Sequence, residues 1–153
     1  MNDLNEQDIE VFVNAIKQYF QQTTWEVANI KAEYLIESKP PIHDFNRLIK
    51  IGGDYAGCIY FSAPRLMMQH LLTKMYENNQ SDENLLDAVG EIANTISRNA
   101  RQHFGEDMEI SVPETMLGKT NNLKQQTRDR PYAVDIIWEK YTAALVIDFS
   151  RLH

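Results

Sequence analysis

Four polar residues between positions 87 and 98 have the types and the spacing that could carry chemistry. They are Asp87, Glu91, Asn94 and Arg98, at successive offsets of four, three and four residues. At 3.6 residues per turn, they lie within roughly 40° of one line along a helix. A carboxylate and a carboxamide one turn apart on an exposed helix could hold a water molecule or bind an ion of a partner. The plain interpretation is a solvated helix face.

The other residues of this helix predict a core-facing side opposite the polar row. Its apolar residues fall about 140–260° away from the row; they are Leu85, Val89, Ile92, Ala93, Ile96 and Ala100. Two small residues, Gly90 and Ser97, flank the row, although a glycine costs about 1 kcal/mol relative to alanine inside a helix. We therefore expect a low, flat surface beside Glu91 and Asn94 that suits close docking of another protein.

Composition and charge argue against several classes of function. The chain has 153 residues, 43% hydrophobic and 24% charged, which is ordinary for one globular domain. A net charge of −7 and a pI near 5.0 argue against nucleic acid and membrane surfaces as partners. The polar start MNDLNEQDIE, the lack of an apolar run of ~20 residues and the single Cys58 favour a cytoplasmic protein.

The other chemistry-bearing residues form no recognisable site in the sequence. The four histidines have no spacing that makes a metal site; they are His43, His70, His103 and His153. No glycine-rich phosphate loop follows a predicted strand, and no serine or cysteine has a nearby histidine that suggests a nucleophile pair. We therefore expect no metal and no organic cofactor in this chain.

Periodicity predicts two similar units of helix and strands. Helices are expected at 6–22, with Asn5 or Asp3 as the cap, at 65–77, and from Ser81 or Asp82 to 104, before Gly105. Strands are expected at 25–37, 45–51, 55–61, 108–113, 132–139 and 141–149, with a hairpin at Gly52-Gly53 and a polar loop at 119–130. This layout predicts an α/β two-layer fold, with long helices on a largely antiparallel sheet and a pseudo-repeat of helix plus three strands.

At the polar row the chain resembles the CheC/CheX/FliY family of bacterial chemotaxis phosphatases. The family signature is Asp or Ser, three residues, Glu, two residues, Asn, and a later proline; here these are Asp87, Glu91, Asn94 and Pro113, followed by Gly118. The helix and strand layout matches as well, so the resemblance spans residues 1–153 as one domain. The first helix has no second copy, because Glu10 is followed three residues later by Val13, and this makes the chain similar to CheX.

The resemblance implies a phosphatase that hydrolyses the aspartyl phosphate of a CheY-like response regulator. Asn94 would orient the attacking water, and Glu91 would bind the regulator's active-site lysine. Asp87 would be a peripheral contact or an orienting partner, and Gly90, Ser97 and Arg98 beside the pair would contact the regulator. Mg²⁺ would come with the regulator. The alternatives are a binding module that docks a regulator or motor component without hydrolysis, and a structural domain whose helix face is merely solvated.

A homodimer is also expected, because CheX-like proteins pair. The late strands at 132–139 and 141–149 are apolar on at least one face, and strand edges of that kind are completed by another chain. The opposing possibility is that the polar segment 119–130 covers the edge and keeps the protein monomeric.

Overall fold

Helices and strands alternate along the chain much as the periodicity predicts. The computed structural model describes residues 4–36, 41–117 and 131–152. In these ranges the helices are α1 (Glu6–Thr24), α2 (Arg65–Lys74) and α3 (Asp82–Phe104). The strands are β1 (Asn29–Leu35), β2 (Phe45–Gly53), β3 (Tyr55–Ala63), β4 (Met108–Ile110), β5 (Glu114–Leu117), β6 (Tyr132–Trp138) and β7 (Tyr141–Arg151). The predictions for Gly118 and for the loop 119–130 fall outside the described residues.

All the strands belong to one antiparallel sheet, as predicted. The order is β1-β6-β7-β3-β2-β4, and β5 also pairs with β2. The order is symmetric about the central β7–β3 pair, so the predicted pseudo-repeat is visible in the topology. Each unit gives its first strand to the other unit, because β1 pairs with β6 while β4 and β5 pair with β2. The two units therefore interlock within a single sheet.

The three helices pack on one face of this sheet and form the main core with it. Apolar residues of α1, α2 and α3 join the inward residues of the central strands in one cluster. Two caps fix where helices begin: Asn5 and Asp8 form a capping box, and the Ser81 Oγ accepts from the Asn84 N–H at 3.3 Å. Both caps were expected from the sequence.

Two predicted strands differ from their expected bounds by more than two residues. The strand expected at 25–37 covers only Asn29–Leu35, because α1 continues to Thr24 and Trp25 ends it in a left-handed conformation with φ 64°. Trp25 is 87% exposed and packs in no core. The strand expected at 108–113 is interrupted after Ile110 and resumes at Glu114.

The predicted role of the late strands as sheet edges is wrong. β6 lies between β1 and β7, and β7 lies between β6 and β3, so both strands have partners on both sides. Among the described strands, the edges are β1 on one side and β4 with β5 on the other. None of the three described helices combines the length and the hydrophobicity that a membrane span requires.

Candidate active site

Helix α3 presents the polar row to solvent, as the spacing predicts. Asp87, Glu91, Asn94 and Arg98 are all exposed. The six apolar residues predicted for the opposite side are all buried in the main core. The row is thus carried by a helix of 23 residues whose other side is held by the core, and this gives the polar groups a rigid support.

The side chains at the centre of the row have no internal bonding partner. Within the described residues, the Asp87 and Glu91 carboxylates and the Asn94 amide make no hydrogen bond or salt bridge. Arg98 differs, because its Nη2 donates to the Thr95 Oγ1 at 3.2 Å. Two acceptors and one carboxamide are therefore free to bind a water molecule or a partner.

The open ledge predicted beside the row is not observed at Gly90. Gly90 is buried, and the space where its Cβ would lie is occupied by the guanidinium of Arg47. Ser97 is half-buried, and its Oγ is shielded without a hydrogen-bond partner in the described part of the chain. Contact of these two residues with a partner stays a prediction, whereas the structure gives Gly90 a clear internal role.

Arg47 on β2 is a residue of this site that the sequence analysis missed. Its Nη2 donates to the Leu86 carbonyl of α3 and its Nη1 donates to the Pro113 carbonyl, both at 3.3 Å. Burial lowers the pKa of the guanidinium, and the nearby Asp87 carboxylate acts in the opposite direction. The signal was available: Phe45, Ile49 and Ile51 alternate as inward apolar residues of β2, and Arg47 is a charge in that row.

Pro113 lies at a bulge on the edge of the sheet. Ile51 pairs with Ile110 and Leu48 pairs with Glu114, so the three residues 111–113 stand opposite the two residues 49–50. A proline, which has no N–H to donate, is tolerated at such a bulge on an edge strand. The carbonyl of Pro113 is thereby placed within reach of Arg47, which links the later proline of the signature to the helix of the polar row.

A small open cleft lies beside the acidic end of the row, between the three helices. It has a volume of about 230 Å³ and is lined by Tyr19, Met75, Asp87, Glu91 and neighbouring residues. Burial and then the Glu91 carboxylate raise the pKa of Tyr19 to about 12, so its hydroxyl stays protonated beside Glu91. Pockets for small molecules usually exceed about 300 Å³. The cleft suits a side chain of a docking protein better than a free substrate.

The described residues contain no metal-binding cluster. No group of three or more histidine, cysteine, aspartate or glutamate side chains comes together there. Asp87 and Glu91 are two carboxylates without a third ligand nearby. The site can therefore position a water molecule, accept hydrogen bonds and attract a cation of a partner, and the absence of a cofactor stays a prediction.

Comparison with known proteins adds a family and a fold. The model of the family described as chemotaxis phosphatase CheX matches residues 46–137. A CheC-like superfamily protein from Shewanella sp. PV-4 superposes with a TM-score of 0.81 at 19% identity, covering 96% of this chain and 99% of that one. No curated protein sequence gives a significant match.

Further similar solved structures bear the CheX name. The chemotaxis protein CheX from Vibrio vulnificus has a TM-score of 0.75 at 17% identity, covering 94% of this chain and 99% of that one. The CheX–CheY–BeF3–Mg²⁺ complex from Borrelia burgdorferi gives 0.69 at 16% identity, covering 94% of this chain and 97% of its counterpart. These matches confirm the predicted two-layer CheC-like fold.

Proposed function

Because the chain belongs to the chemotaxis phosphatase CheX family, we propose that it hydrolyses the aspartyl phosphate of a CheY-like response regulator. The observation that carries this proposal is the Glu91–Asn94 pair. It is exposed on a rigid helix, and within the described residues neither side chain has a hydrogen-bond or ion-pair partner. A site that completes the active site of another protein needs its polar groups held ready and unengaged in this way.

Asn94 is proposed to orient the attacking water. An acyl phosphate is already activated, so the reaction chiefly needs a water molecule placed in line with the leaving carboxylate. A carboxamide can accept one hydrogen bond from that water and donate another to the phosphoryl group. It needs no change of protonation to do so. The exposed Asn94 amide has the freedom to enter the regulator's site.

Glu91 is proposed to bind the regulator's active-site lysine, one turn of α3 before Asn94. A charge-assisted hydrogen bond between carboxylate and ammonium would fix the register of the two proteins. Asp87 and Arg98 extend the exposed row on either side and are proposed as further contacts with the regulator. The cleft beside Asp87 and Glu91 would receive a side chain of the same partner.

The metal is proposed to come with the regulator and not with this chain. The Borrelia burgdorferi complex contains CheX, CheY, BeF3 and Mg²⁺ together. By analogy, Mg²⁺ in the regulator's site would neutralise the phosphoryl oxygens, while Asn94 supplies only the water's position. Protein purified in the presence of a chelator should then be fully active once Mg²⁺ and the phosphorylated regulator are added.

A homodimer is proposed as well, through a different surface from the one that the sequence suggested. In the described part of the sheet, β1 pairs only with β6, and its outer side is an open strand edge. Leu35 on this strand is 48% exposed. An exposed edge with apolar side chains is readily completed by the same strand of a second copy.

The test is release of inorganic phosphate from a phosphorylated CheY-like protein with Mg²⁺, with and without the chain. Faster release that disappears in Asn94→Ala, but not in Asn99→Ala on another side of α3, would support the proposal. Binding of the phosphorylated regulator without faster phosphate release would contradict the proposal and support the alternative that the chain is a binding module. If no CheY-like protein of the same organism is bound or loses phosphate faster, the polar row is only a solvated helix face.

A further inference from the structure

We propose that Arg47 of β2 is a positioning residue that fixes the turn of α3 carrying Glu91 and Asn94, an inference that rests on the proposed function. Its guanidinium lies between the sheet and α3 and donates to two backbone carbonyls, that of Leu86 in α3 and that of Pro113 at the bulge. One side chain thus joins the helix of the site to the edge of the sheet.

Packing alone does not account for an arginine at this place. The residues before and after it on the inward face of β2, Phe45 and Ile49, are buried in the main core. A charged group between such neighbours costs free energy unless its donors are satisfied. The two carbonyl bonds satisfy part of the guanidinium, although its Nε has no partner in the described part of the chain. The link to α3 is therefore what the arginine adds to β2.

Gly90 is the matching feature on the helix. A Cβ at position 90 would lie 2.9 Å from the Arg47 Nη2, 3.1 Å from its Cζ and 3.3 Å from its Nε. The first distance is shorter than Cβ contacts normally are and the other two are tight, so a side chain at residue 90 would push the guanidinium away from its place against α3. Its hydrogen bond reaches Leu86, one turn before Gly90, and Glu91 and Asn94 follow directly after it. A change at this contact therefore moves the turn that carries both side chains.

The position of Asn94 should matter for turnover more than for docking. An in-line attack tolerates little error in the place of the water, and a misplacement of about 1 Å can cost on the order of 100-fold in rate. Docking is spread over the row and the neighbouring surface. A small displacement of the turn that carries Asn94 therefore changes the docking affinity little. Loss of Arg47 should accordingly lower kcat and leave KM and regulator affinity nearly unchanged.

The first experiment tests the contact itself by a double-mutant cycle in urea. Gly90→Ala should lower the unfolding midpoint of the natural chain, because the new methyl group displaces the guanidinium from its two carbonyls. In an Arg47→Ala background the same change should raise the midpoint, because alanine is the better helix former and the clash is gone. If Gly90→Ala shifts the unfolding midpoint by the same sign and size in both backgrounds, the two residues do not interact and the proposal is wrong.

The second experiment tests positioning with Arg47→Met, which keeps an unbranched stem and removes the donors. We expect kcat for phosphate release to fall by at least about tenfold while KM changes less than about threefold. The ¹⁵N–¹H signals of the Asn94 backbone and side-chain amides should also shift. The control is Ile136→Val on β6, three strands from β2, which destabilises the core without touching this contact.

The two proposals fail in different ways. If the natural chain releases no phosphate from any CheY-like protein, the proposed function fails, and the Asn94 signals still decide whether Arg47 positions this turn. Unchanged Asn94 signals in Arg47→Met would overturn the positioning role even if the natural chain is a phosphatase. The same holds if Ile136→Val lowers kcat as much as Arg47→Met.

Discussion

Replacing Asn94 with alanine should lower catalysis without lowering stability. The side chain is exposed and has no hydrogen bond or ion pair among the described residues, so its removal breaks none. Alanine is the better helix former by up to about 0.7 kcal/mol, so the unfolding free energy should stay the same or rise slightly. If the amide orients the water, the rate of phosphate release should fall by about 10²- to 10³-fold, or about 3–4 kcal/mol of the barrier.

Replacing Glu91 with alanine should have a different signature. A carboxylate that binds a lysine in a closed interface stabilises both the docked complex and the transition state. Its loss therefore weakens docking and turnover together. The cost should be roughly 2–5 kcal/mol if the lysine is left buried without a partner. Asn94→Ala should instead leave binding of the regulator nearly intact, because the amide's interaction matters chiefly in the transition state.

The assay follows phosphate release at several regulator concentrations and, separately, the affinity for the regulator bound to BeF3. Asn99→Ala is the control for the amide: its Nδ2 donates to the Thr95 carbonyl of the same helix, away from the row. Glu10→Ala on α1 is the control for the carboxylate, because Glu10 is also exposed on a helix. Full activity in Asn94→Ala, or equal loss of binding in both site variants, would refute the assigned roles.

Three further predictions concern the ionisation, reactivity and assembly of the chain. The raised pKa of Tyr19 means that stability present below pH 10.0 is lost as pH rises towards about 12, by about 1 kcal/mol at pH 11; Tyr19→Phe should reduce this loss in urea titrations, and an unchanged alkaline slope would contradict it. Burial and then the Asp148 carboxylate raise the pKa of the Cys58 thiol to about 12. Iodoacetamide should therefore alkylate Cys58 at neutral pH only after unfolding, and fast reaction of the native chain would count against this. Sedimentation at tens of micromolar should give about twice the 17.8 kDa of one chain, and Leu35→Lys on β1 should reduce it; a natural chain that stays at the single mass would be evidence against the dimer.

Local signals account for most of the fold that could be predicted from the sequence. α3 has a full apolar side, a serine cap and a terminal glycine, so its bounds follow from residues close together in the chain. Trp25 was misplaced in a strand because a tryptophan gives no local sign of a left-handed helix end. The break at 111–113 was missed because it depends on pairing with β2, some 60 residues earlier. Strand order was beyond reach for the same reason.

In the candidate site, too, the local features could be predicted and the long-range contacts could not. The exposure of Glu91 and Asn94 follows from helical spacing, which is local. The place of Arg47 beside Gly90 is a contact across 43 residues of sequence, and the flat ledge was inferred without knowing what would fill it. An arginine inside an alternating apolar row was the available signal. It indicates a half-buried charge with a specific partner but does not say which backbone carbonyls the guanidinium meets.

The two helices α1 and α3 differ at the Glu-x-x-Asn pattern: α3 carries an exposed pair, whereas the exposed Glu10 of α1 is followed three residues later by a buried valine. α1 and α3 lie antiparallel, with Asp8 bonded to His103 at one end and Tyr19 beside Glu91 towards the other. Glu10 on α1 is exposed, but the residue three positions later, Val13, is only 2% exposed and belongs to the main core. An asparagine there would bury an amide without partners, at a cost of about 1–3 kcal/mol. A Glu-x-x-Asn pair built on Glu10 would therefore require α1 to rotate on the sheet, and a single substitution cannot supply that rotation.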